Sequence, residues 1–332
     1  MVIEMFNFWY FFWMILQIGA TVGLYFAFRK SRPFVQNTVL FSLLALGLIF
    51  HFLKMYIPPY GELVDGQWVI TSRGWRDSWF VNVCGANIAL FPFIYLTKNK
   101  CLKDYMFHIG VLTGLIVLFY PQEPIAKGDA ASQMAEFLDI LRFYYHHWMI
   151  MAVPLLMVLW KRHTLSYKRV WVAPVGILLL MLFIILNQIF QSELGFIPLR
   201  SDEALVVPNY KNTSYIWGPL NGDGSMDPIG GIFDIFCPDV FKKLPVSCEG
   251  YGLEAGAVKY WPWFWMIVPA FILVTPLAFG LSMIFDGKRF GKDTAYFVRH
   301  IKAGGLKDDF KRLGRRIRKA VTEENPNKVT AK

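Results

Sequence analysis

The chain has 332 residues, is 55% hydrophobic and 17% charged, and carries a formal net charge of +10. Runs such as Val175 to Leu186, apolar throughout apart from Gly176, have no reason to exist in water, which excludes a soluble fold. The basic excess lies in short connections and a tail rather than among stacking aromatics on a soluble face, which excludes a nucleic-acid module.

Taken in chain order, seven windows approach the ~20 apolar residues a helix needs to cross a hydrocarbon core of ~30 Å. They are 8–28, 36–57, 77–96, 104–121, 137–160, 170–190 and 261–285. Glu4 precedes the first window, and Arg29, Lys30 and Arg32 follow it. A cleaved signal peptide has the opposite charge order, so this window is read as a retained span. His51 lies near the end of the second window, and the third carries Cys84 between Asn82 and Asn87. The fourth is the shortest. The fifth places Asp139, Arg142, His146 and His147 in otherwise apolar surroundings, and the sixth ends near Asn187 and Gln188.

Lys and Arg in short connections favour the cytoplasm. The connections after spans one, three and five hold Arg29, Lys30, Arg32, then Lys98, Lys100, Lys103, then Lys161, Arg162, Lys168, Arg169. The connections after spans two and four hold only Lys54, Arg73, Arg76 and Lys127, and acidic residues outnumber basic ones in the long sixth loop. The expected architecture is therefore an all-α polytopic membrane bundle of seven transmembrane helices, amino terminus outside and carboxyl terminus cytoplasmic, in the plasma (cell) membrane. Its membrane domain covers 1–285 with an extracytoplasmic loop at 191–260, and 286–332 forms a basic cytoplasmic tail. Trp9, Trp13, Trp75, Trp79, Trp261, Trp263 and Trp265 fall at outer ends, where indole rings anchor at headgroup level.

In the tail, Leu306, Phe310, Leu313, Ile317 and Val321 recur at helical spacing among basic residues. That pattern suits an amphipathic helix on anionic inner-leaflet lipids. In the outer loop, Cys237 and Cys248 are candidates for a disulfide, which an oxidising compartment would permit. Asn221, Asp223, Ser225 and Asp227 alternate as calcium ligands do, but Met226 stands where a glycine is needed and no acid closes the loop, so a polar turn is the better reading. No other metal or cofactor pattern is present, and no metal or cofactor is expected.

Ionisable groups at membrane depth cost several kcal/mol unless they face protein, water or a partner, so an intramembrane site is the default hypothesis. At ~1.5 Å per residue, Cys84, Arg142 and His146 fall at one level of the outer leaflet, and His51, Asn187 and Gln188 lie within about 10 Å of their outer ends. Asp139, Arg142 and His146 share a helix stripe, as do Cys84 and Asn87. His147 points about 100° away from His146 and reads as a structural partner, whereas His108 and His163 lie at the inner side. A thiol beside a histidine permits nucleophilic chemistry. Arg142 suits a phosphate or ester oxygen, hence a phospholipid or other lipid arriving from the outer leaflet. Catalysis, a solute or ion pathway and a structural polar network all remain open on the residues alone.

The stretch NVCGANIALFPFIYL from Asn82, the turn TKNK, the ending LFYP, the segment RFYYHHWMIM, the Asn near the end of span six and YWPWFW at span seven resemble the YwaF-like membrane proteins and their eukaryotic relatives, the transmembrane protein 164 family. The resemblance covers roughly 80–285 without the enlarged outer loop. It implies a helical bundle related to the androgen-induced family of fatty-acid-ester hydrolases, and acyl transfer between phospholipids by a membrane cysteine with a histidine base. The cysteine corresponds to Cys84 and the histidine to His146 or His147. Bacterial members often place a histidine two residues before the cysteine, where this chain has Asn82. Two other functions stand beside the implied acyltransferase or acyl hydrolase. One is a transporter with an Arg142/histidine site, disfavoured by the lack of a visible repeat or broken helix; the other is a receptor or assembly factor acting through the outer loop.

Overall fold

A computed structural model describes residues 2–121, 133–195, 214–220, 225–243, 256, 258–303 and 309–316. The first helix, α1 (Phe8–Phe28), starts where the Asn7 side chain accepts a hydrogen bond from Tyr10 N at 2.9 Å. Its 21 residues give a rod of ~31 Å, enough to span a bilayer. Tyr10, Trp13, Gln17 and Thr21, spaced three or four apart, are buried, while Ile15, Ile18, Val22 and Phe26 are exposed. The helix thus turns its polar stripe toward protein and its apolar surface outward, the order expected in lipid. Pro33 opens α2 (Pro33–Leu53), with its fixed φ pre-organised for the first turn.

Two elements in the next connection went unpredicted. Strands β1 (Gly61–Val64) and β2 (Gln67–Ile70) form a hairpin around Asp65-Gly66, both with positive φ, the signature of a two-residue type I′ turn. A short helix α3 (Ser72–Ser78), capped by Thr71, follows. The expected third span of 77–96 is not continuous: α3 and α4 (Val83–Leu96) are separate helices bent by 50°. Phe80 lies in the left-handed region (φ 63) and Asn82 is an extended cap, so the chain cannot run helically through 79–82.

Asn99 caps α5 (Lys100–Phe119), and α6 (Gln133–Leu159) is the longest helix before the outer loop. Then come α7 (Val172–Glu193), the loop helix α8 (Pro228–Asp234), and a run from Phe264 that passes through a π-helical turn at Ala270–Val274 into α9 (Thr275–Lys302). Among the described residues, five helices are long and apolar enough to cross a membrane, six if the bent α3–α4 pair counts as one. The helix at the expected fifth window, α6, has the length, 27 residues, but not the apolarity. It can carry polar groups because α1, α2, α4 and α5 all pack against it. The core around it includes Leu40, Leu44, Phe91, Met106, Met149, Ile150 and Leu156. Trp13 and Trp265, expected at the membrane interface, are buried: Trp13 stacks on Tyr144 at 4.7 Å and Trp265 Nε1 donates to Tyr215 O at 2.7 Å. Trp9, Trp75 and Trp79 are exposed.

Residues 1–281 form one compact unit and 282–332 another. Within the second, residues 309–316 are helical with Phe310 and Leu313 exposed, while Leu306, Ile317 and Val321 of the expected amphipathic pattern lie outside the described residues.

Helix α5 packs closely on α6 at its glycines. A Cβ on Gly110 would stand 2.5 Å from Ile150 O and 3.0 Å from Phe91 Cε2, whereas one on Gly23 of α1 would meet nothing within 4 Å. Gly110→Val is expected to cost about 1–3 kcal/mol through overpacking. Thermal unfolding in detergent should show that loss and leave Gly23→Ala at or slightly above the wild type.

Candidate functional site

The break between α3 and α4 gathers most of the residues singled out from the sequence. Its main chain has lost its helical partners and takes side chains instead. Asn82 Oδ1 accepts from Gly85 N at 2.6 Å and Ser214 Oγ from Val83 N at 2.9 Å. On the carbonyl side, Asn187 Nδ2 donates to Trp79 O and Gln188 Nε2 to Val81 O at 3.4 Å. The hydrogen bonds of Asn82, Asn187 and Gln188 recorded here are thus all to backbone.

His51 closes the same break from α2. Its Nε2 donates to Ser78 O at 3.3 Å and its ring stacks on Phe80 at 5.1 Å between centroids. Its Cε1 stands 3.6 Å from where a Gly85 Cβ would be, one residue from Cys84. Because Nε2 carries the proton, Nδ1 keeps a lone pair, with no hydrogen-bond partner among the described residues. The His146 ring lies 6.2 Å away. Its Nε2 donates to Gly47 O at 3.0 Å and its Nδ1 faces Arg142 Nη1 at 3.5 Å, so both ring nitrogens are engaged. His147 Nδ1 donates to Phe143 O at 2.8 Å in its own helix.

Cys84 is the second residue of α4, partly buried, and a negative charge formed there would lie at the positive end of the helix dipole. Asn87, one turn on, is fully buried. Its Oδ1 accepts from Tyr105 OH of α5 at 2.9 Å, and Cys84 lies within electrostatic reach of the same phenol. Arg142 does not stand open toward a ligand as the sequence suggested. Its Nε donates to Asp139 at 2.9 Å and its Nη2 to Tyr60 OH at 3.3 Å. The Tyr60 ring is also flanked by Lys54 at 5.6 Å and Arg73 at 5.3 Å. Lys54 Nζ donates to Asp77 O at 2.6 Å and Arg76 Nε to Asp77 Oδ1 at 2.7 Å. Tyr60, Lys54 and Asp77 escaped sequence reading because they sit in a connection whose fold no periodicity announces.

A second buried polar cluster was also missed. Asp104 of α5 is fully buried, pairs with His163, and takes Arg169 Nε at 2.7 Å, pinning the α6–α7 connection to α5. An acid four residues before His108 in an apolar helix was the available signal.

In the outer loop, Asp227 is the N-cap of α8, accepting from Ile229 N at 2.8 Å and Gly230 N at 3.0 Å, a role that accounts for its burial. Cys237 carries a buried free thiol whose Sγ lies 3.6 Å from Pro238 O; Cys248, the other half of the expected disulfide, is outside the described residues. Burial pushes the Cys237 thiol up to about 11. Burial also raises the phenols of Tyr215 and Tyr260, helped by their bonds to Asp227 and Asp234.

The family model of the TMEM164 family matches residues 4–218. That range includes the whole of the broken-span site and excludes the YWPWFW segment. No curated protein and no solved structure matches the chain.

Asp139→Asn removes the carboxylate charge that the part-buried Arg142 bonds and is expected to cost up to about 3 kcal/mol, read as lost thermal stability in detergent. In reduced protein, Cys237 should resist iodoacetamide through pH 9 and react only as the pH nears 11, since its raised value keeps the protonated thiol dominant below that. Rapid modification at pH 8 would contradict the buried environment.

Proposed function

The chain belongs to the TMEM164 family, and from that premise we propose that it is an integral membrane acyltransferase or acyl hydrolase working at the α3–α4 break. The observation that carries this reading is the half-helix start inside a membrane span that bears Cys84, with the His51 and His146 rings 6.2 Å apart beside it. Broken helices at membrane depth persist where they line a cavity or are covered by protein, and their N-termini favour developing negative charge.

In this mechanism an imidazole takes the Cys84 proton and the thiolate attacks the carbonyl carbon of a phospholipid ester. The ester C–O bond breaks, the departing alkoxide receives the proton, and a thioester remains on Cys84. Its acyl group then passes to a lysolipid hydroxyl or to water. Among the family-matched candidates, His146 has both nitrogens engaged and His147 is bonded within its own helix. The lone pair at His51 Nδ1 is therefore the better base, with His146 as its neighbour, and Arg142 orients His146 rather than holding a phosphate. The exposed Arg73 beside the Tyr60 ring suits an anionic headgroup.

Counting the α3–α4 pair as one crossing and α6 as another gives seven, with the amino terminus outside and the basic tail on the cytoplasmic leaflet of the plasma membrane. The alternating Lys and Arg content of the connections supports that orientation, and the tail's positive charge suits anionic lipids.

A second reading is favoured by the break itself. Discontinuous helices are a hallmark of transporters, and the expectation that this chain lacks one is overturned by the 50° bend. Solute uptake into vesicles that survives Cys84→Ala but not Arg142→Ala would select transport.

For acyl transfer, Cys84→Ala should abolish labelling by an ester-reactive lipid probe in nanodiscs at unchanged expression. His51→Ala should lower its rate by at least ~100-fold, the usual contribution of a general base, and His146→Ala by less, since both of its ring nitrogens are already engaged. Full labelling of Cys84→Ala would remove the reading.

A further inference from the structure

Asn87 is fully buried, and its side chain is satisfied on one side only. Its Oδ1 takes the Tyr105 hydroxyl, while its Nδ2 has no hydrogen-bond partner among the described residues. Most buried amide groups find partners, so an orphaned donor in the interior points to a group that arrives from outside. Its position narrows what that group is. Cys84 and Asn87 are three residues apart on α4, hence on one helix face with Cβ atoms about 5–6 Å apart. Asn87 bonds the Tyr105 phenol on α5, and Cys84 lies within electrostatic reach of it.

Tyr105 is itself held in place. It is buried, edge-on to Phe91 at 6.5 Å, and α7 presents Gly176 to its ring, where a Cβ would stand 2.6 Å from Cε2. The amide is therefore fixed by a neighbour that is itself fixed, the condition under which a single donor stabilises developing charge without reorganising. A hydrocarbon chain would leave Nδ2 unmet. An oxygen acceptor bonded to the carbon that the Cys84 thiolate attacks would satisfy it.

We propose that Asn87 Nδ2 receives the carbonyl oxygen of the acyl group attacked by Cys84, and that Tyr105 is the positioning residue that aims it. The ligand class of this pocket is accordingly a carbonyl-bearing acyl ester or thioester. This rests on the acyl-transfer reading above and adds to it the donor for the oxyanion formed as the S–C bond forms; the oxygen lone pair then re-forms the C=O bond as the ester C–O bond breaks, and the charge leaves on the alkoxide, which takes the proton from the imidazole.

The test uses the full chain in phosphatidylcholine nanodiscs, with Cys84 modification followed on its own peptide by mass spectrometry. One probe is an acyl ester, p-nitrophenyl octanoate, and the other, methyl methanethiosulfonate, reacts with thiols but has no carbonyl. Asn87→Leu should slow acylation by the ester ~100-fold, the scale of one oxyanion donor, and leave the thiosulfonate rate within about threefold. Tyr105→Phe, which keeps the amide but frees it, should slow acylation about tenfold with the same indifference to the thiosulfonate. Ester rates within threefold of wild type in Asn87→Leu would overturn the proposal, and so would equal losses with both probes, which would mark Asn87 as packing alone. A wild-type Cys84 that the ester acylates no faster than it does glutathione would instead overturn the acyl-transfer reading, and the two failures are thereby told apart.

Discussion

Interrupting a helix at membrane depth exposes backbone donors and acceptors where no water can take them, at several kcal/mol for each unmet group. The break between α3 and α4 exists only because side chains from other segments answer that demand. Asn187 and Gln188 of α7 and His51 of α2 take carbonyls at Trp79, Val81 and Ser78, while Asn82 and Ser214 take amides of the first turn of α4. Four separate parts of the chain are thus tied to one point. Cys84 lies in the first turn of α4, whose amides Asn82 and Ser214 cap.

The same demand explains why α6 is polar. A helix facing lipid on one side must be apolar there, as α1 is, but a helix enclosed by α1, α2, α4 and α5 is free to carry charge if the charge is paired. Asp139, Arg142 and Tyr60 form such a group, and the guanidinium passes its orientation to His146. At the opposite end of the same helix, Asp104 ties His163 and Arg169 of the following connection to α5. The bundle is held by two buried polar clusters with close-packed apolar contact between them. The glycines of α5 let α6 approach closely enough for both.

The connection that follows α7 contributes at least one element to the break, because Ser214 caps α4 while Trp263 and Trp265 donate to Leu178 O and Tyr215 O. The loop is therefore part of the framework around the site, whatever else it binds.

The sequence by itself determined the membrane class and the position of most spans, because apolar length and charge in the connections are local properties. The window 8–28 coincides with α1, and the stripe of Asp139, Arg142 and His146 is real because i, i+3 and i+4 geometry needs no tertiary information. It also marked Cys84, Arg142, His146, His51, Asn187 and Gln188 as lying at one level. Only the tertiary structure decided what they do. The break at 79–82 depends on partners 27 to 131 residues distant in sequence, as the His51–Ser78 and Val83–Ser214 bonds show, and apolar periodicity runs straight through it. Tyr60, Tyr105 and Asp104 acquire their importance from neighbours on other helices. Hydrogen bonds across a bundle are set by which helices meet, and helix order leaves no trace in a linear pattern.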